Sequence, residues 1–139
     1  MEVTLPRRMV NALLQQAQQS PEAEVCGLIG AMDNLPRACY PVPNIATAPR
    51  RLFQMDPRAQ IDTLRYMRER NESLFGIYHS HPHSPATPSA TDIVETGYPD
   101  ALYLIISLNT RGVLEMRAWR LAPQLQEVEL RINEDHART

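Results

Sequence analysis

The sequence predicts one mixed α/β (α+β) domain in which a β-sheet is flanked by helices. Three observations predict it. Short apolar runs, bounded by turn residues, are interleaved with two longer stretches whose apolar residues recur every three or four positions. A length of 139 residues suits one domain that buries its own core without staples. With 43% apolar and 22% charged residues, the chain has neither the polarity of a disordered segment nor the bulk of a membrane protein.

The first helix is predicted from Thr4 or Leu5 to about Gln19. Pro6 suits its first turn, Met9, Val10, Leu13, Leu14 and Ala17 form its apolar stripe, and Ser20-Pro21 stops it. Glu24 to Ala31 is short and apolar with two glycines, the pattern of a buried strand. Arg37 to Val42 is a second strand. Pro41 to Arg50 holds Pro41, Pro43, Asn44 and Pro49 and reads as a loop long enough to act as a flap. Arg51 to Met55 is a short strand. Asp56-Pro57 is an N-cap followed by proline at the first helical position, and the helix runs to about Asn71 with Ile61, Leu64, Tyr66 and Met67 on or near its apolar face. Ser73 to His81 is a strand whose alternation puts Phe75, Ile77, His79 and His81 on one face. Pro82 to Pro88 is a loop, and Ser89 to about Thr96 a short helix closed by Gly97. Ala101 to Leu108 and Val113 to Leu121 pair around Asn109-Thr110-Arg111-Gly112, and Leu125 to Ile132 adds a last strand. The order is α-β-β-β-α-β-α-β-β-β, with a domain over 1–132 and a polar tail over 133–139.

Charge and cysteine content exclude several function classes. A net charge of −2 gives no global attraction to nucleic acid or to an acidic membrane. All 14 basic residues are Arg, so the chain offers no lysine for modification. Cys26 and Cys39 lie in apolar segments and read as buried thiols of a reducing compartment, the cytoplasm. The N-terminus lacks the layout of a signal peptide, and the run Ala101 to Leu108 is too short to cross a bilayer.

Chemistry concentrates in His79-Ser80-His81-Pro82, followed by Ser89 and Asp92. His79 and His81 share one face of a strand end, where two imidazoles can chelate one ion. Asp92, one turn into the next helix, supplies a third ligand. Three protein ligands leave a fourth position for water, the arrangement of a catalytic zinc. Two nearby histidines alone are more often exposed loop polarity. Asp92, Ser89 and Glu24 together shift the balance to a site. Glu24, at the entrance of an apolar strand, is the candidate proton carrier, with Glu22 its rival by composition. Ser89 has two readings of equal weight. It is the N-cap of a capping box with Asp92, or a catalytic hydroxyl; Thr87 with Pro88 is another cap. His83 reads as solvent-facing, and His136 carries no role.

With Glu24-x-Cys26-Gly27 and His79-x-His81-Pro82-x6-Ser89-x2-Asp92, the chain resembles the JAMM (MPN+) zinc metalloprotease family over most of its length. The resemblance implies a cytidine-deaminase-like fold with a curved mixed sheet. It implies one catalytic zinc on His79, His81 and Asp92, Glu24 as general acid and base, and Ser89 stabilising the oxyanion. The implied substrate is the C-terminal tail of a ubiquitin-like sulfur-carrier protein, cut after its last glycine to release cysteine or to trim to Gly-Gly. The short stretch between Asp92 and Ala101 leaves no room for the insertion of linkage-selective deubiquitinases. The alternatives are a non-catalytic scaffold of the same family and a zinc amidohydrolase. Zinc deaminases pair His-x-Glu with Pro-Cys-x-x-Cys, and neither occurs here.

Overall fold

The computed structural model describes residues 2–94, 97–98, 100–108 and 114–134. Its elements are β1 (Glu2–Pro6), α1 (Arg7–Gln18), β2 (Cys26–Met32), β3 (Leu35–Val42), α2 (Pro57–Glu69), β4 (Ser73–His81), α3 (Ala90–Val94), β5 (Leu102–Ser107), β6 (Glu115–Arg120) and β7 (Gln126–Asn133). The seven strands form one mixed sheet in the order β1-β7-β6-β5-β4-β2-β3. The pairs β1/β7 and β4/β5 are parallel and the other four are antiparallel. The antiparallel pairing of β5 with β6 is as predicted, although residues 109–113, with the turn between them, lie outside the described residues.

Helices cover both faces of the sheet, so the central strand is buried throughout. On β5, Leu104 and Ile106 pack with Met9, Val10, Leu13 and Ala17 of α1. Tyr103 and Ile105 point the other way, into a cluster with Met67 of α2, Cys26, Leu28 and Ile77. All six β5 residues are buried. Burying a Leu or Ile side chain fully contributes about 1.5–3 kcal/mol, and two such layers sharing one sheet give the framework that holds the site. The site lies on the α2 face, at the C-terminal end of β4.

Several expectations need correction. The first helix begins at Arg7, because residues 2–6 form β1 beside β7 and Pro6 is the N-cap. That pairing joins opposite ends of the chain and leaves no local signature. Residues 51–55 form no strand; a single bridge, Asn44 with Met55, is all that pairs there. Pro41 belongs to β3, an edge strand, where a missing N–H is tolerated. β2 starts at Cys26 rather than Glu24, and β3 starts at Leu35. The short helix is described over Ala90–Val94, and residues 95–96 lie outside the described set. On α2, Leu64 and Met67 face the core, while Ile61 and Tyr66 are exposed.

Phe75 is on the opposite face from Ile77. The register jumps from Ile29–Gly76 to Gly30–Leu74, so Phe75 is the extra residue of a β-bulge. It packs on the α1 side, and Leu74 takes the α2 side. Past the bulge, Ile77, His79 and His81 keep the parity the sequence predicts.

Candidate active site

β4 delivers the two histidines. His79 pairs with Cys26 of β2 and Ile105 of β5, and His81 pairs with Ser107. Both rings are buried, His79 completely. Beyond His81 the chain must turn back, and residues 82–88 are rich in proline and short of N–H donors. Three outside donors hold successive carbonyls of that loop. Ser107 Oγ donates to Ser84 O at 2.7 Å, His81 Nδ1 to Pro85 O at 2.7 Å, and Trp119 Nε1 to Ala86 O at 2.9 Å. The loop thereby sets where α3 starts.

α3 starts with a capping box. The Asp92 N–H donates to Ser89 Oγ at 3.0 Å, and the Ser89 N–H donates to Asp92 Oδ2 at 2.8 Å. Ser89 is therefore the N-cap, and the cap aims the Asp92 carboxylate at the histidines. His79 Nε2 lies 3.1 Å and His81 Nε2 3.3 Å from Asp92 Oδ2, and the two Nε2 atoms are 3.2 Å apart. This is a nearly equilateral triangle of three ligand atoms. A tetrahedral zinc with bonds near 2.0–2.1 Å has ligand–ligand edges of about 3.3 Å. The triangle thus has the size of one face of a zinc tetrahedron. The His81 ring is oriented for it, because Nδ1 donates to the Pro85 carbonyl and so turns Nε2 toward the triangle.

At His79 and Asp92 the electrostatics favour the forms that ligate a metal. Burial lowers the pKa of His79 and favours the neutral ring that ligates metal. Burial pushes Asp92 upward, but hydrogen bonds from His79 and His81 outweigh it and hold the carboxyl well below the usual range. Burial also opposes charge on His81. There the hydrogen bonds to Asp92 and to the Pro85 carbonyl prevail and raise the pKa.

Glu24 reaches the site from the segment before β2. Ser80 fixes it in place, since its Oγ accepts from Val25 N at 2.8 Å and its N–H donates to Val25 O at 3.0 Å. Glu24 is 3% exposed, and burial pushes its pKa up to about 8. A ligand atom of Glu24 lies within 4.8 Å of those of His79 and His81, so this second triple also has metal-site dimensions. The triangle with Asp92 is tighter and is the better chelate. Among the described residues, Glu24 Oε1 and His79 Nδ1 are buried with no hydrogen-bond partner. An unpaired buried carboxylate oxygen is costly, and one facing a cation or a water proton is what a reaction centre requires.

The other candidates fall outside this centre. Glu22 is 70% exposed and pairs with Arg50 at 3.3 Å and His83 at 3.6 Å, so it is no rival to Glu24. His83 is a surface residue, as predicted. Cys26 is buried, donates to Val42 O at 3.3 Å, and has its pKa pushed up to about 12 by burial. Both cysteines are free thiols.

Sequence reasoning missed Asn44, Phe53, Ser80 and Trp119. The lone Trp of the chain was a signal, because a buried indole N–H needs an acceptor. Phe53 stacks on His79 with ring centroids 4.4 Å apart and planes at 24°. It also walls a cavity of about 350 Å³ beside His79 and Asp92, together with Leu52, Met55, Ile77, Tyr98 and Tyr103. Part of the wall therefore comes from residues just past the predicted Pro41–Arg50 flap.

Comparison with known proteins shows the family. Residues 6–122 match the family described as prokaryotic homologs of the JAB domain. The chain belongs to the prokaryotic JAB family. A desampylase of Haloferax volcanii is 39% identical over 98 residues, spanning 68% of this chain and 70% of that protein. A CysO-cysteine peptidase of Mycobacterium tuberculosis is 30% identical over 115 residues, 81% of this chain and 78% of the relative. A solution structure of a Desulfitobacterium hafniense protein superposes with a TM-score of 0.84 at 31% identity, covering 96% of this JAB chain and 94% of the other. No helix of the described JAB fold is long and apolar enough to cross a membrane.

Proposed function

We propose that this JAB-family chain is a zinc-dependent peptidase that hydrolyses the peptide or isopeptide bond after the C-terminal glycine of a ubiquitin-like sulfur-carrier protein. The observation that carries the reading is the triangle of His79 Nε2, His81 Nε2 and Asp92 Oδ2, with sides of 3.1–3.3 Å, next to a buried carboxylate. The relatives named for desampylase and CysO-cysteine peptidase activity support the substrate class. The two free thiols suit the cytoplasm.

His79, His81 and Asp92 would hold one zinc ion. When bound, zinc brings the pKa of a water to about 7 and polarises a carbonyl. Glu24 takes the proton that water loses as its oxygen bonds to the carbonyl carbon, and delivers it to the departing amine as the C–N bond breaks. A cation on the triad favours the Glu24 carboxylate, the form that accepts a proton. Ser89 keeps a free hydroxyl hydrogen while its oxygen accepts from Asp92 N–H, so it can donate to the oxyanion. The box and the catalytic hydroxyl are one device, because the cap fixes where the Oγ sits.

Intact-mass analysis of sulfur-carrier proteins bearing C-terminal cysteine or short extensions tests the reading. Zinc-loaded protein should remove the extension after Gly-Gly, and the Glu24→Gln variant should bind zinc without cleaving. Cleavage by Glu24→Gln at the wild-type rate removes Glu24 from its role. No cleavage of any carrier by zinc-loaded wild type removes the substrate class.

A further inference from the structure

We propose that Phe53, locked in place by Asn44, is a positioning residue that orients the metal ligand His79. The inference rests on the metal-site reading above and adds to it a device outside the ligand set. Histidines that bind metals normally have the second ring nitrogen tied to a carbonyl or carboxylate, which fixes the ring plane. His81 follows that rule through Pro85 O. His79 does not, since its Nδ1 is buried and, among the described residues, has no hydrogen-bond partner. What lies on His79 is the face of Phe53, at 4.4 Å and 24° between planes. A stacked ring fixes a plane by contact as a hydrogen bond fixes it by direction.

Phe53 can do this only if its own backbone is held, and it belongs to no helix or strand. Asn44 holds it on both sides. Its Nδ2 donates to Leu52 O at 3.0 Å and its Oδ1 accepts from Gln54 N at 2.9 Å. The Ile45 N–H adds a bond to Gln54 O at 2.8 Å. The second Nδ2 hydrogen goes to Glu24 O at 2.9 Å, and Oδ1 also accepts from Ala46 N at 3.0 Å. All four hydrogen-bonding positions of the amide are used. One side chain thus ties the backbone carrying the proton acceptor to the backbone carrying the ring over His79.

The test reads metal binding rather than turnover. Purified wild type, Phe53→Leu, Phe53→Ala, Phe53→Tyr and Asn44→Ala are stripped of metal. Zinc affinity is then measured by competition with a chromogenic chelator, and the visible spectrum of the cobalt-substituted protein is recorded. Phe53→Leu and Phe53→Ala should lose about 10–100-fold in zinc affinity, the usual cost of losing an outer support of a ligand, and should broaden or shift the cobalt bands. Phe53→Tyr keeps the stacked ring and should retain both. Asn44→Ala should move both in the direction of Phe53→Leu. Should Phe53→Ala fail to fold, Phe53→Leu and Phe53→Tyr decide the matter, because leucine keeps the apolar bulk without the ring face. Wild-type affinity and spectrum in Phe53→Leu overturn the proposal and leave the peptidase reading standing. A wild type that binds neither zinc nor cobalt overturns both.

Discussion

Replacing Glu24 by Gln in metal-free protein should remove a pH dependence of stability that the wild type carries. Burial raises the Glu24 pKa from 4.5 to about 8 in the folded chain, while the unfolded chain titrates near the ordinary value. Between those limits the native state holds a proton that the unfolded state has released. A raised carboxyl pKa therefore contributes stability that is fully present below pH 4.5 and is lost as pH rises to about 8. The slope approaches about 1.4 kcal/mol per pH unit, with a ceiling of about 5 kcal/mol over the window. Glutamine fills the same space and does not titrate. Urea unfolding in the presence of a chelator, followed by the fluorescence of the buried Trp119, gives the stability of both proteins across the window. The gap between wild type and variant should shift steadily against the wild type as pH rises. Zinc should flatten that trend, since a nearby cation favours the carboxylate. Parallel wild-type and Glu24→Gln profiles in metal-free protein would refute the argument.

Three more outcomes follow from named contacts. Asp92→Ala removes one corner of the His79–His81–Asp92 triangle and the acceptor for the Ser89 N–H. It should fail to retain zinc through dialysis, as read by metal analysis, and full occupancy would exclude Asp92 as a ligand. Ser89→Ala breaks the capping box and should lower stability by about 1 kcal/mol in a denaturant melt. If Ser89 also serves the oxyanion, cleavage should slow by about 10²–10³ with zinc still bound; a melt change alone leaves only the cap. Gly27→Ala places a Cβ in collision with Tyr40 O and the Tyr78 ring, so it should cost about 1–3 kcal/mol in the same melt.

The part of the site that is close in sequence was legible, and the reason is periodicity. His79 and His81 share a face because strand side chains repeat every two residues, and Asp92 follows Ser89 by the spacing of a capping box. Even the rival readings of Ser89 reduce to one geometry, because the capping hydroxyl sits beside the carboxylate it aims. Glu24 was legible only as a charge at the mouth of an apolar strand. Its reach to His81 depends on Ser80 gripping Val25 across two strands.

Local pattern, then, was enough for the mixed α/β class, the two long helices, the buried central strands and the grouping of His79, His81 and Asp92. Each of those rests on neighbours within a few residues. Tertiary contacts decided the rest. β1 exists because β7 is beside it, and Phe75 changes face because a bulge absorbs one residue. The stretch 51–55 is held by the Asn44 amide rather than by a strand ladder, and Phe53 finds His79 only after the 25 residues between them have folded back. Contacts between segments so far apart leave no periodic trace in the sequence, since nothing local rewards the residues that make them.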